Sequence, residues 1–386
     1  MYNQFINRDL SKEIRRLKAY FPVIILTGPR QSGKTTLSKK LFDCFHYVDM
    51  MRATDRQIIA SSPESFLKQY AGGLIIDEAQ NYPELFPYIK IVADELPESN
   101  FILTGSNNFS LMEKVTESLV GRAATLALLP LSLHELGVEM ANLSTDMLLF
   151  NGGYPAVWAN NIPASDVSRQ YYNLYVERDV RQLINIKDLS KFQIFIRLCA
   201  GRIGTEFNSQ SLSNEVGVSY HTINSWLSVL EASYLVFRLQ PFYQNIRKRL
   251  VKTPKIYFYD TAVICFLLGI ESYEQLKTHP LRGAIFENYV VLEFLKNRYN
   301  SGKSNNLFFY KDKSQCEIDI LQQFGHQYAA YEVKSAPTFH SEFSGNLNYL
   351  KKLLGDTLVK RQVIYDGDSD LDIPDNGVMN FRRITF

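Results

Sequence analysis

The sequence predicts an α/β protein in three parts: a parallel sheet with helices, then a helical module, then a second α/β module. Three observations carry that expectation. Short β-branched runs alternate with helical patterns over roughly the first hundred residues. Beyond Leu131 such runs stop and helical spacing takes over. After the Gly/Ser/Asn loop at 300–306, strand patterns return. The boundaries that follow are 1–140, 141–265 and 266–386.

In chain order, Leu10, Ile14 and Leu17 recur at helical spacing with Arg and Lys between them. PVIILTG at 22–28 is a short apolar run closed by glycine, the pattern of a buried parallel strand. GGLIIDEAQ at 72–80 and NFILTGSNN at 100–108 are two more. Glu64 to Tyr70 and Leu85 to Leu96 read as helices around them, which completes a strand–helix alternation and a parallel sheet. Residues 165–200 read as helices with YVERDVRQL at their centre. Residues 190–240 read as a small helical domain closed by the strand SYLVFRLQP, followed by a basic loop, RKRLVKTPK, at 247–255. A helix from Gly283 to Asn297 and strands at 307–310, 316–322 and 328–334 make the third part.

Composition narrows the function classes. The hydrophobic share of 46% supports sizeable cores and excludes a disordered chain. With 42 Lys and Arg against 40 Asp and Glu, no global basic field announces nucleic acid, although a local patch is allowed. Cys44, Cys199, Cys265 and Cys316 are far apart and lack metal-ligand spacing, so a reducing compartment is expected. The charged N-terminus does not suit a signal peptide, and no apolar run is long enough for a membrane helix. A cytoplasmic protein is the expectation.

Gly28-Pro29-Arg30-Gln31-Ser32-Gly33-Lys34-Thr35 fits G-x-x-x-x-G-K-S/T without a mismatch, after a strand and at the start of TTLSKKLF, a helix that Thr36 continues. The order has a physical basis. Glycines let successive backbone N–H groups face phosphates, and the helix N-terminus adds positive potential. Lys34 is placed for the β- and γ-phosphates, and the Thr35 hydroxyl for Mg²⁺. In LIIDEAQ, Asp77 would hold Mg²⁺ through water, and Glu78 would act as general base on the attacking water. At the tip of the third strand, Thr104-Gly-Ser106-Asn107 offers polar groups to the γ-phosphate or the water, Asn107 foremost. Arg122 is a candidate arginine finger, for its own nucleotide or for that of a neighbour in a homo-oligomer. The plainer alternative for Arg122 is a surface arginine.

GPRQSGKTTL, LIIDEAQ, ILTGSNN and VGRAATLALLPLSLHEL together resemble a group of prokaryotic AAA+-like P-loop ATPases that carry a C-terminal domain of formerly unknown function. GGYPAVW at 152–158, YVERDV at 175–180, KIYFYDTAV at 255–263 and GAIFENYVVLEFL at 283–295 extend the resemblance over nearly the whole chain. It implies ATP as ligand, Mg²⁺ as cofactor and hydrolysis as the reaction.

The middle segment reads as helix-turn-helix: Leu212 and Val216 on one face, Gly217 at the turn, Ser219 as cap, then Ile223, Leu227 and Leu230. With the following strand and basic loop as a wing, it looks like a winged helix. Tyr220, His221, Asn224 and Ser225 would face DNA while Arg247, Lys248 and Arg249 bind phosphates. A protein-contact module is the plainer alternative. In the last part, Glu287 on a helix, Asp319 in CEIDILQQ and Glu332-Val-Lys334 on the next strand resemble the PD-(D/E)xK nuclease family, with Ile318 where the family has proline. That resemblance implies a second Mg²⁺ or Mn²⁺ on the carboxylates; a structural ion pair is the alternative. Two functions follow: an ATP-driven switch acting on DNA through a winged helix and a nuclease-like tail, or an ATPase switch whose C-terminal module binds a protein partner. A small-molecule kinase is disfavoured by Glu78 following Asp77.

Overall fold

The computed structural model describes residues 5–106, 118–137, 143–173, 188–242, 253–312, 316–367, 371–373 and 376–384. Asn107, the YVERDV segment, and Arg247, Lys248 and Arg249 lie outside them. The chain begins with α1 (Leu10–Lys18), whose buried Leu10 and Ile14 sit four residues apart on one face. Then come β1 (Val23–Thr27), α2 (Lys34–Leu41), β2 (His46–Asp49), α3 (Ala53–Ser61), α4 (Pro63–Gln69), β3 (Leu74–Asp77), α5 (Phe86–Glu95), β4 (Phe101–Thr104) and β5 (Ala123–Ala127).

These five strands form one sheet in the order β2-β3-β4-β1-β5, and every pairing in it is parallel. All side chains of β1, β3 and β4 are buried, because helices cover both faces of a parallel sheet. Two apolar clusters result. One lies around Val23, Ile25, Leu74 and Ile76; the other lies around Leu10, Ile24, Leu26 and Leu37. Strands β2 and β5 are additions to the three expected ones. Both lie at the sheet's edges and are only partly buried, so neither shows a continuous apolar run.

The middle of the chain is helical: α6 (Leu133–Leu136), α7 (Thr145–Asn151), α8 (Pro155–Ala159), α9 (Ala164–Tyr171), α10 (Leu189–Ala200), α11 (Ser209–Val216) and α12 (Tyr220–Ala232). Gly217 ends α11 in the left-handed conformation, and the Ser219 hydroxyl accepts the Thr222 N–H to start α12. A hairpin follows, β6 (Val236–Pro241) paired antiparallel with β7 (Lys255–Phe258). The remaining elements are α13 (Thr261–Leu267), α14 (Tyr273–Thr278), α15 (Arg282–Asn300), β8 (Leu307–Lys311), β9 (Glu317–Phe324), β10 (Gln327–Lys334), α16 (Gly345–Leu354), β11 (Leu358–Tyr365), β12 (Leu371–Ile373) and β13 (Asn376–Asn380).

Their strands make a second, mixed sheet in the order β12-β13-β11-β10-β9-β8-β6-β7. The hairpin therefore belongs to the C-terminal sheet as much as to the helices before it. One apolar cluster runs from Leu129 through α10, α12 and α15 to Phe381, and a second, around Ile318, Leu347 and Val363, covers the opposite face under α16. The long helix α15 is buried on most of its circumference. Its Asn288 accepts the Phe258 N–H and donates to the Phe258 carbonyl, closing the free edge of β7. No helix among the described residues is long and apolar enough to cross a membrane.

Candidate functional site

The phosphate loop leaves the C-terminal end of β1, at a central position of the first sheet. Gly28 has φ 137°, and a Cβ there would lie 2.2 Å from the Leu128 carbonyl oxygen, so only glycine fits. Gly33, at φ 94°, turns the loop into α2. Lys34 is buried, and its ammonium donates to the carbonyls of Gly28 at 2.9 Å and Pro29 at 2.7 Å. Burial pushes its pKa down to about 8, against the pull of Glu78 and Asp77. Cation, loop and helix terminus thus share one spot, as phosphate binding requires.

The Thr35 hydroxyl donates to both carboxylate oxygens of Asp77, at 3.0 and 2.8 Å. Asp77 accepts two more hydroxyls, Tyr47 at 2.8 Å and Thr104. Burial, then the hydrogen bond to Asp77, push the Tyr47 phenol well above its usual pKa. A hydroxyl and a carboxylate side by side are hard oxygen donors of the kind Mg²⁺ takes with phosphate oxygens and water. Thr35 and Asp77 therefore fit that ion. Glu78 follows at φ 50°, and its N–H donates to the Thr104 hydroxyl at 3.3 Å. Its Oε2 accepts Ser106 Oγ at 3.1 Å and the Gln80 amide, which hold the carboxylate in place. Among the described residues, the third strand tip brings Thr104 to the Glu78 backbone and Ser106 to its carboxylate.

A cavity of about 560 Å³ opens over this arrangement. Arg30, Gln31, Gly33, Lys34, Thr35, Thr36 and Glu78 line one wall. Phe5 and Ile6 before α1, with Pro155, Ala156, Ala159 and Tyr171 from α8 and α9, line the other. These opposing residues were not singled out from the sequence as ligands, although GGYPAVW contains Pro155 and Ala156. Arg8 was missed altogether. It is buried, donates to the Ser32 carbonyl at 2.7 Å and to the Leu129 carbonyl, and pairs with Glu135 at 3.0 Å. An arginine ahead of an amphipathic helix carries no sequence signal for such a role.

Arg122 is not near this cavity. It precedes β5 at the N-terminal edge of the sheet, where the Val23 N–H donates to its carbonyl, and it pairs with Asp94 at 2.7 Å. The five-residue strand separates it from the phosphate loop by about 17 Å, so it cannot serve its own nucleotide.

The C-terminal residues do come together. Tyr331 of β10 faces Ile320 of β9, which sets Asp319 beside the next residues of β10. Asp319 Oδ2 accepts the Val333 N–H at 2.8 Å, and Lys334 donates to Glu332 at 2.8 Å. Glu287 reaches in from α15. However, Lys255 stands among them, 3.3 Å from Glu287 and 4.0 Å from Asp319. Burial, then the charge of Asp319, raise the Glu287 carboxyl to about 7 and the Glu332 carboxyl to about 8. Among the described residues no group of three His, Cys, Asp or Glu side chains could hold a metal ion. The expected second Mg²⁺ or Mn²⁺ finds no support here, because the Lys255 ammonium already stands among the acidic side chains. Lys255, which the sequence groups with the basic loop at 247–255, is instead buried, 2% exposed, and opens β7.

Residues 20–137 match the family model of an AAA domain. Residues 143–274 and 282–384 match two domains of unknown function, DUF8612 and DUF4143. An uncharacterized protein of Mycobacterium tuberculosis is 29% identical over 96% of this chain and 82% of its own length. One from Haemophilus influenzae is 22% identical over 72% of this chain and 75% of its own. Among solved structures, a Walker-type ATPase of Pyrococcus abyssi is 15% identical, with a TM-score of 0.49 over 68% of this chain and 96% of that one. The AAA-domain match and the loop geometry support a P-loop ATPase domain in the N-terminal part.

Proposed function

We propose that this chain is an Mg²⁺-dependent ATPase switch in which the nucleotide touches both the phosphate-binding domain and the helical module. The observation that carries the reading is the cavity wall. Phosphate-binding groups occupy one side, and Phe5, Ile6 and the α8–α9 residues face them from the other. ATP with its phosphates on Lys34 and Gly33 would present its base and ribose to that second wall. Mg²⁺, when bound, neutralises phosphate charge, and Thr35 and Asp77 would hold it. Glu78 would take the proton of the attacking water, held in place by Ser106 and Gln80. Turnover would then alter how the helical module is gripped.

The test is ATP binding and steady-state hydrolysis by the full chain and two variants. Lys34→Ala should lose binding, because the phosphates lose their main cationic partner. Glu78→Gln should bind as the parent does and turn over about 10²–10⁴-fold more slowly. A Glu78→Gln protein with parental turnover would remove Glu78 from the base role.

A DNA-directed output is the second reading. The α11–α12 pair with its hairpin supports it, as do the exposed Tyr220, His221 and Ser225 on α12. Asn224 drops out of the reading set, since it accepts Ser209 Oγ at 2.9 Å and donates to the Tyr220 carbonyl. Helix α12 has no Lys or Arg, so the charges at Arg247, Lys248 and Arg249 decide between outputs. Neutralising all three should abolish binding of a duplex probe if the output is DNA. No duplex binding by the parent would favour a protein partner.

A further inference from the structure

Glu287, Glu317, Asp319 and Glu332 bring four carboxyl groups to one end of the second sheet, and the side chain set among them is a lysine from another part of the chain. Lys255 lies in the segment matched at 143–274, whereas all four acids lie in the segment matched at 282–384. Its ammonium is 2.5 Å from Glu317 Oε1, 3.3 Å from Glu287 Oε1 and 4.0 Å from Asp319 Oδ1. The side chain is 3% exposed, and the ammonium lies 5.5 Å from the centre of the Phe309 ring. Tyr257, two residues on and therefore on the same face of β7, donates to the same Glu287 oxygen at 2.6 Å. One strand thus delivers both partners to the cluster. A second, independent observation lies beside it. Glu332 Oε2 is buried and has no hydrogen-bond partner among the described residues, while its other oxygen is held by Lys334.

Three carboxylate oxygens around one buried cation is the arrangement in which proteins hold hard divalent ions such as Mg²⁺ or Mn²⁺. Here the distances and the donor are those of an ammonium. We infer that Lys255 is a built-in cation that takes the place of a divalent metal in this cluster, so that the native domain is closed to metal and removal of the ammonium uncovers an Mn²⁺ site. The consequence is chemical. An ammonium balances charge and orients carboxylates, but it presents no coordinated water for attack on a phosphodiester. The C-terminal domain then keeps a nuclease-like constellation as a packed ionic core, with the key supplied by the module before it. This inference does not depend on the ATPase reading.

The experiment is Mn²⁺ binding to the nucleotide-free full chain, followed by the electron paramagnetic resonance of free Mn²⁺. Asp319→Asn serves to separate this cluster from the Thr35–Asp77 site. The parent should show no Asp319-dependent binding at millimolar Mn²⁺. Lys255→Ala should gain it, by about tenfold or more in affinity, and Lys255→Ala with Asp319→Asn should lose it again. Asp319-dependent binding by the parent would overturn the inference, as would a folded Lys255→Ala protein that binds no Mn²⁺ at the cluster. Lys255→Met, which keeps the volume of the stem, replaces Lys255→Ala if the latter fails to fold. Should neither fold, the parent's melting temperature decides: unchanged by Mn²⁺ as expected, or raised in an Asp319-dependent way, which sinks the inference.

Discussion

Thr27 Oγ1 and Tyr234 OH lie 2.8 Å apart in the protein interior, joining the last residue of β1 to the turn after α12. Thr27 immediately precedes the phosphate loop, so this bond ties the nucleotide-binding strand to the helical module. Tyr234 makes it from a left-handed backbone, φ 55°, a conformation that costs a non-glycine residue about 1–2 kcal/mol. Burial raises the phenol's pKa well above its usual value, so the hydroxyl stays neutral and available to bond. Tyr234→Phe keeps the ring and removes the bond, and among the described residues leaves Thr27 the longer contact to the Leu126 carbonyl at 3.3 Å. The expected loss is about 1 kcal/mol of stability, read by urea unfolding, together with a lower kcat at unchanged ATP affinity. A variant with parental kcat would leave the bond a purely structural one.

Arg8 should behave differently because its partner is buried too. The Glu135 side chain is 1% exposed, and it also accepts the backbone N–H groups of Asp9 at 2.9 Å and Ser132 at 2.9 Å. Arg8→Met would strand that carboxylate and leave two carbonyls, of Ser32 and Leu129, without their donor. Removing one side of a buried pair costs about 3–5 kcal/mol. The variant should therefore unfold at markedly lower urea. Arg8→Met with Glu135→Gln should recover part of the loss, and no recovery would show that the carbonyl contacts, not the pair, carry the effect.

How much of this was legible in the sequence depends on where the deciding interaction lies. β1, β3 and β4 stood out because each is short, wholly buried and strongly apolar. HYVD and AATLA did not, since an edge strand keeps polar or small residues on its open face. The phosphate loop is spelled out by residues whose backbone and charge do the chemistry within one turn, so local sequence suffices. The opposite wall of the cavity is assembled from Phe5 and from Pro155 to Tyr171, positions no local pattern connects. Lys255 shows the limit most clearly. In RKRLVKTPK it is one cation among several, and only carboxylates from α15 and β9 determine that it is buried. Glu287, Asp319, Glu332 and Lys334 of the C-terminal cluster were visible; Glu317 and the ammonium that sits among the acids were not.

The same cluster predicts an unusual pH dependence. Burial first, then the charge of Asp319, raises Glu332 from 4.5 to about 8 and Glu287 from 4.5 to about 7. Both carboxyls therefore hold protons in the folded protein that the unfolded chain releases above its ordinary carboxylate range. With more protons bound in the folded state, stability must fall as pH rises, by up to about 1.4 kcal/mol per pH unit for each group. The contribution is fully present below about pH 4.5 and is lost as pH climbs through 7 and 8. Glu317 runs the other way: burial opposes it, but Lys255 and Lys311 hold its carboxylate below the usual value, so its share is lost only in acid. Glu332→Gln keeps the acceptor that Lys334 uses and removes the titration. Urea unfolding at several pH values should show the variant gaining on the parent steadily from pH 5 to pH 8, with the two slopes converging beyond it. Parallel parent and variant curves over that range would mean that Glu332 is ionised in the folded protein, and that Lys334 alone balances its charge.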